Sequence, residues 1–175
     1  MISSHMMFVV GAFALLSLIT LSVNSIIVEG TTVMLDTEAS ITGISIAQAM
    51  IDEIQSKEYD TQTVSARVYN TANLTPTNLL GTEAGESIST PDVLPYQSAT
   101  VFNDTDDYNG YRRTVSTTRL GNFAVTDSIY YVMESNLNLK SSTQTYYKKM
   151  VVTVAHPRMK VPVVLADVVV YRRYI

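Results

Sequence analysis

The chain has 175 residues, no cysteine, only two histidines and a formal net charge of −4. Disulfides, thiolate metal sites and cysteine nucleophiles are excluded, and His5 and His156, at opposite ends of the sequence, argue against zinc or a histidine-based catalytic cluster. The acidic balance argues against nucleic acid as the main partner, and the length accommodates one long helix and one globular domain large enough for its own core.

From Met1 to Val28 there is no Asp, Glu, Lys or Arg; Glu29 is the first formal charge. Met6, Met7, Phe8, Val9, Val10, Phe13, Leu15, Leu16, Leu18, Ile19 and Leu21 make this half nearly continuously apolar. As a helix, 1–28 spans about 42 Å at roughly 1.5 Å per residue, enough for a hydrocarbon core of about 30 Å. From Glu29 to about Asp60 the pattern becomes amphipathic. Val33, Ile41, Ile44, Ala47, Ile51 and Ile54 form one stripe, while Glu29, Asp36, Glu38, Asp52, Glu53 and Lys57 fill other faces. The first proline is Pro76, so nothing earlier must break a helix. Gly30-Thr31-Thr32 is its weakest point and a candidate bend. No Lys or Arg precedes Lys57, unlike a secretory signal or an ordinary anchor with basic flanks. This predicts a precursor whose basic leader is removed before Met1.

The remainder reads as β-rich. Alternation of Val64, Ala66 and Val68 with polar residues predicts a strand over 62–70. Asn73 to Thr100 reads as a long surface excursion. Phe102 to Tyr111 is a compact acidic, aromatic turn, and strands are predicted over 112–119, 123–134, 146–155 and 163–174. Phe123, Val125, Ile129, Tyr131 and Met133 share a face that Asp127 interrupts; Asn136 to Thr145 reads as a polar loop, and His156 to Lys160 as a turn. The valine-rich run from Val163 to Val170 is apolar on both faces, which predicts a central, covered strand tying the C-terminus into the sheet. The expected fold class is α+β: a long N-terminal helix, apolar in its first half, packed by its second half on an antiparallel sheet. Residues 1–28 then form a transmembrane or filament-core helix, and 29–175 a globular domain. The expected helix–sheet core comprises Val33, Ile41, Ile44, Ile51 and Ile54.

An apolar helix, an amphipathic continuation and a β-rich domain in this order resemble the type IV pilin and pseudopilin superfamily. Asp106-Asp107-Tyr108-Asn109-Gly110 is similar to a segment of MSHA-type minor pilins and prepilin-like proteins. The resemblance implies that Met1 is the processed, N-methylated terminus of a structural filament subunit. It would be held in the inner membrane before assembly, moved by pilus or type II secretion-like machinery, and end in an extracellular filament of copies of itself. Met1, His5, Phe8, Val9, Gly11, Ala12, Phe13, Leu16 and Ile19 would form the assembly helix. The chain departs from the family pattern at His5, where members usually carry Glu, at Ser22, where many have proline, and in lacking a C-terminal disulfide loop. The hydrogen-bonding capacity of His5, with Ser3 and Ser4 beside it, favours a shaft subunit over a tip subunit. The alternatives are a single-pass membrane-anchored binding domain and a minor or tip pseudopilin of a secretion system.

Other motifs carry less. Asp104, Asp106 and Asp107 admit a calcium reading, but Tyr108 stands at what would be the fifth position of an EF-hand loop, where a ligand is needed, so a turn with Asx hydrogen bonds is the expectation. Tyr130-Tyr131 and Tyr146-Tyr147 read as strand residues with buried rings. Asn73-Leu74-Thr75 and Asn103-Asp104-Thr105 match the glycosylation pattern. No nucleophile elbow, phosphate loop or metal motif occurs, so no enzymatic activity, catalytic residue, metal or cofactor is expected.

Overall fold

A computed structural model describes residues 2–84, 86, 89–91 and 102–171. The chain divides into two compact units, Met1–Glu38 and Ala39–Ile175. Helix α1, Ile2–Gln55, contributes to both.

The described residues of the first unit are all helical. The expected bend at Gly30-Thr31-Thr32 is absent: α1 is assigned without interruption, and the Thr31 and Thr32 hydroxyls donate to the carbonyls of Ile27 and Val28 at 2.9 and 3.0 Å. Ser17 and Thr20 donate likewise to Phe13 and Leu16, both at 2.9 Å. These hydroxyls are satisfied within the helix and need no water.

In the second unit, α1 buries Ala39, Gly43, Ile46, Ala47, Met50, Ile51 and Ile54. Their spacing places them on one face. Against it pack Val115, Phe123, Val125, Ile129, Met150, Val152 and Val154 of the sheet. Ile51 and Ile54 lie where the stripe puts them, but Ile41 and Ile44 are 61% and 48% exposed, and Val33 is exposed in the first unit. The packed face is rotated to take in Ile46 and Met50, and the small residues Ala39, Gly43 and Ala47 on it let the helix approach closely. A Cβ on Gly43 would lie 3.3 Å from the Met159 sulfur and 3.5 Å from Val163.

Helix α1 ends at Gln55 rather than near Asp60, and the strand expected over 62–70 is replaced by α2, Thr61–Ser65, and a single 3-10 turn, Thr71–Asn73. Local chemistry decides this. Asp60 caps α2, its carboxylate accepting from Gln62 N–H at 3.2 Å while its own N–H donates to Thr63 Oγ1 at 3.0 Å. That reciprocal box outweighs a short alternation.

The sheet comprises β1 (Ser89–Pro91), β2 (Arg112–Thr117), β3 (Gly121–Met133), β4 (Asn136–Lys140), β5 (Tyr147–Ala155) and β6 (Val163–Val170). Its order is β1-β2-β3-β5-β6, with β4 also paired to β3. All pairings are antiparallel except β1 with β2. Two expectations are corrected. Asn136–Lys140, read as loop, is a strand that folds back on the end of β3, with Met133 opposite Asn136. The run from Val163, read as central, pairs among the described residues with β5 alone, at the end of the sheet order, and its faces are half-exposed. On β3, Phe123, Val125, Asp127, Ile129 and Tyr131 point inward as expected, but Met133 is exposed. Residues 92–100 of the expected surface excursion and 172–174 of the last expected strand lie outside the described residues.

Candidate assembly helix and buried charge cluster

Two features stand out, one in each unit. In the first, every side chain described from Ser4 to Met34 is exposed. Phe8, Val9, Phe13, Leu16 and Ile19 belong to this set, with Phe13 at 65%. Gly11, Ala12 and His5 are exposed too, while Met1 lies outside the described residues. Apolar residues surround the helix rather than forming a stripe: Met6, Met7, Val10, Leu15, Leu18 and Leu21 fill the remaining faces. A helix apolar on all sides is one that becomes buried in something. Burying a Leu, Ile or Phe side chain is worth about 1.5–3 kcal/mol, so the segment as a whole strongly favours an apolar environment. Its best window reaches a mean hydropathy of 2.4, long and apolar enough to cross a membrane by length and composition.

The second unit is organised around Lys148. Lys148 sits at an inward position of β5, in phase with Met150, Val152 and Val154, and is fully buried. Its ammonium donates to Tyr59 O at 2.7 Å, Asp60 Oδ2 at 2.8 Å and Asp106 Oδ1 at 2.8 Å. All three protons are thereby used. The Tyr59 and Tyr131 rings close over it, with centroids 4.5 and 5.2 Å away. Burial alone would raise the Asp60 carboxyl, but the ion pair with Lys148 and hydrogen bonds from Gln62 and Tyr131 hold it below the usual carboxylate range. At Asp106 burial prevails. Lys148 opposes it, but neighbouring Asp104 and Asp60 add to it, and the carboxyl is pushed up to about 8. Asp60 also accepts from Thr75 Oγ1 at 3.0 Å and lies 3.0 Å from the Tyr131 hydroxyl. The cluster therefore ties the N-cap of α2, the acidic turn and β5 together.

Asp106 begins a single 3-10 turn, Asp106–Tyr108. The expected Asx bonds are present. Asp104 Oδ1 accepts from Asp106 N–H at 2.9 Å, and Asp107 Oδ2 accepts from Asn103 N–H at 3.0 Å and Asp104 N–H at 3.2 Å. Phe102, Tyr108 and Tyr111 stack edge to face beneath the turn. The tyrosine pairs divide: Tyr131 is buried as expected, whereas Tyr130, Tyr146 and Tyr147 are only partly covered.

Another buried acid stands apart. Asp127 on β3 is 4% exposed, and no donor among the described residues reaches either carboxylate oxygen. Burial, opposed by the Arg113 charge and reinforced by Glu53, pushes it up to about 8. Its ordinary value is about 3.9. Between about 4 and 8 the unfolded chain is ionised while the folded chain keeps its proton, so this group makes stability fall as pH rises through that window. Asp127→Asn is expected to flatten that slope. Urea unfolding at pH 5 and pH 8 checks it; an unchanged difference between the two pH values would contradict the assignment.

The acidic turn is visible in the sequence; Asp60 and Lys148 are not marked there as its partners. A signal existed: a lysine in phase with the inward residues of an alternating strand. No protein-family model, no curated protein and no solved structure matches this chain.

Proposed function

We propose that this chain is the structural subunit of a helical, type IV pilus-like filament outside the cell. Its N-terminal helix is held in the inner membrane before assembly and packed among the same helices of other copies afterwards. The observation that carries this reading is the uncharged helix with apolar side chains exposed on every side, joined in sequence to a folded α+β unit. Transfer from lipid to a helix bundle exchanges one apolar environment for another, so hydrophobicity supplies little of the drive. Close packing must supply more of it. Gly11, Ala12, Ala14 and Ser17 permit that approach: a Cβ on Gly11 would meet nothing, and the Ser17 hydroxyl is already satisfied within its own helix. His5 would contact a neighbouring subunit's terminus, as hydrogen-bond acceptor to the amine or donor to a carbonyl. The fold, a long apolar helix followed by a sheet on which its later part packs, is compatible with a pilin-like subunit.

Shearing filaments from the cell surface and quantifying their components tests this. The chain is expected as the main component of the sheared fraction. Its confinement to the membrane fraction would favour a single-pass anchored domain, and its presence only in traces beside another dominant subunit would favour a minor or tip role.

A further inference from the structure

We infer that Glu83, Asp104 and Asp107 hold a calcium ion. This is not the trio that the sequence spacing suggests: Asp106 turns its Oδ1 to Lys148 and is not among the carboxylates that converge. One carboxylate oxygen from each of Glu83, Asp104 and Asp107 lies within 4.8 Å of the others. Oxygens at a calcium distance of about 2.3–2.6 Å from a common ion lie at most roughly twice that distance apart, and this set meets the limit. All three donors are carboxylates, the hard ligands that calcium takes.

The second observation concerns the two buried members. Asp104 and Asp107 are each fully buried, and each is anchored through one oxygen. Asp104 Oδ1 takes the N–H groups of Asp106 and Asp107 at 2.9 and 3.4 Å; Asp107 Oδ2 takes those of Asn103 and Asp104 at 3.0 and 3.2 Å. The other oxygen of each, Asp104 Oδ2 and Asp107 Oδ1, is buried and met by no donor among the described residues. A buried carboxylate oxygen without a donor is costly. Two of them beside a third carboxylate call for a cation. The buried cation nearby cannot serve, since Lys148 has all three protons committed elsewhere. Lys57 donates to the Phe102 carbonyl at 2.8 Å.

Glu83 supplies the open side. It is exposed, and its Oε1 accepts from Thr61 Oγ1 at 2.6 Å, which ties it to the start of α2. Water would complete the coordination on that side. The backbone bonds to Asp104 and Asp107 hold the inner ligands in place before the ion arrives. Its effect would be to fix the stretch around Glu83 against the acidic turn.

The test uses the full chain in detergent, stripped with chelator, and calorimetric titration with calcium chloride. Saturable binding of one calcium per chain and a rise in unfolding temperature are expected. Glu83→Gln is the decisive variant, because Glu83 is exposed and its loss leaves the core untouched. It should weaken binding at least tenfold with the calcium-free unfolding temperature unchanged. Asp107→Asn should abolish binding. No binding to wild type up to about 10 mM, beyond the roughly 10⁻⁴–10⁻³ M range of extracellular calcium modules, would overturn the proposal. Equal affinity in Glu83→Gln, or a response to magnesium but not to calcium, would overturn it too.

Discussion

Phe13→Asp, or Leu16→Asp, is expected to abolish filaments while leaving the Ala39–Ile175 unit folded. Both side chains lie mid-way along the uncharged segment and are exposed in the single chain. In the proposed assembly every copy would bury the new carboxylate in an apolar bundle, and no Lys or Arg before Lys57 offers a partner. A buried unpaired charge costs several kcal/mol, and the helical array repeats that cost in each subunit. Membrane insertion is less sensitive, since an Asp at the centre of a spanning helix costs about 2.5–3.5 kcal/mol there and is eased by local water defects. The two effects separate experimentally. Chain retained in the membrane fraction without surface filaments is the expected result, and Phe13→Leu should assemble normally. Filaments of normal abundance from either Asp variant would count heavily against the account.

The largest stability effect should come from Lys148→Met. The substitution keeps an unbranched side chain one atom shorter and removes the ammonium, leaving Asp60 and Asp106 buried without their shared cation. Removing one partner of a buried pair typically costs about 3–5 kcal/mol, and here one residue serves two carboxylates and the Tyr59 carbonyl. Lys148→Arg should also destabilise, because a planar guanidinium does not match three point contacts gathered around one nitrogen. Urea unfolding of the full chain in detergent measures both. Adding Asp60→Asn and Asp106→Asn to Lys148→Met should recover part of the loss, since Asn still caps a helix and carries no charge. A Lys148→Met chain as stable as wild type would show that the cluster contributes nothing to the fold.

How much was legible beforehand varied with the kind of signal. The uncharged run before Glu29 and the alternation along β2, β3 and β5 are strong periodic patterns, and those elements lie where the sequence puts them. The packed face of α1 agrees with the stripe at Ala47, Ile51 and Ile54 and departs from it at Val33, Ile41 and Ile44, because residue size alone does not mark the core. The face that meets the sheet uses Ala39, Gly43 and Ala47 to bring backbones close, and Ile41 and Ile44 were left outside. The Val163–Val170 run misled differently. Apolar content reports what covers the faces of a strand, not how many neighbours bond its edges, and among the described residues β6 has one. At 62–70 capping by Asp60 prevailed over alternation, which no count of apolar positions detects. The charge cluster was the least legible part. Its members come from Asp60, Asp106 and Lys148, far apart in sequence, and only the fold brings them within 2.8 Å of one nitrogen. Glu83 joins Asp104 and Asp107 by the same route.

The central claim is that the segment from Phe8 to Val28 packs against the same segment of other copies. The chain has no cysteine of its own, so cysteine pairs report on that packing without background. One cysteine is placed at Phe8 and the second is moved through positions from Leu16 to Ile27, each chain being oxidised in intact cells. Disulfides form only where Cα atoms approach within about 7 Å. The account predicts that a narrow range of second positions yields a ladder of dimers, trimers and higher multimers, because each copy links to the next. Monomers at every second position, in cells that express and insert the chain normally, would contradict it.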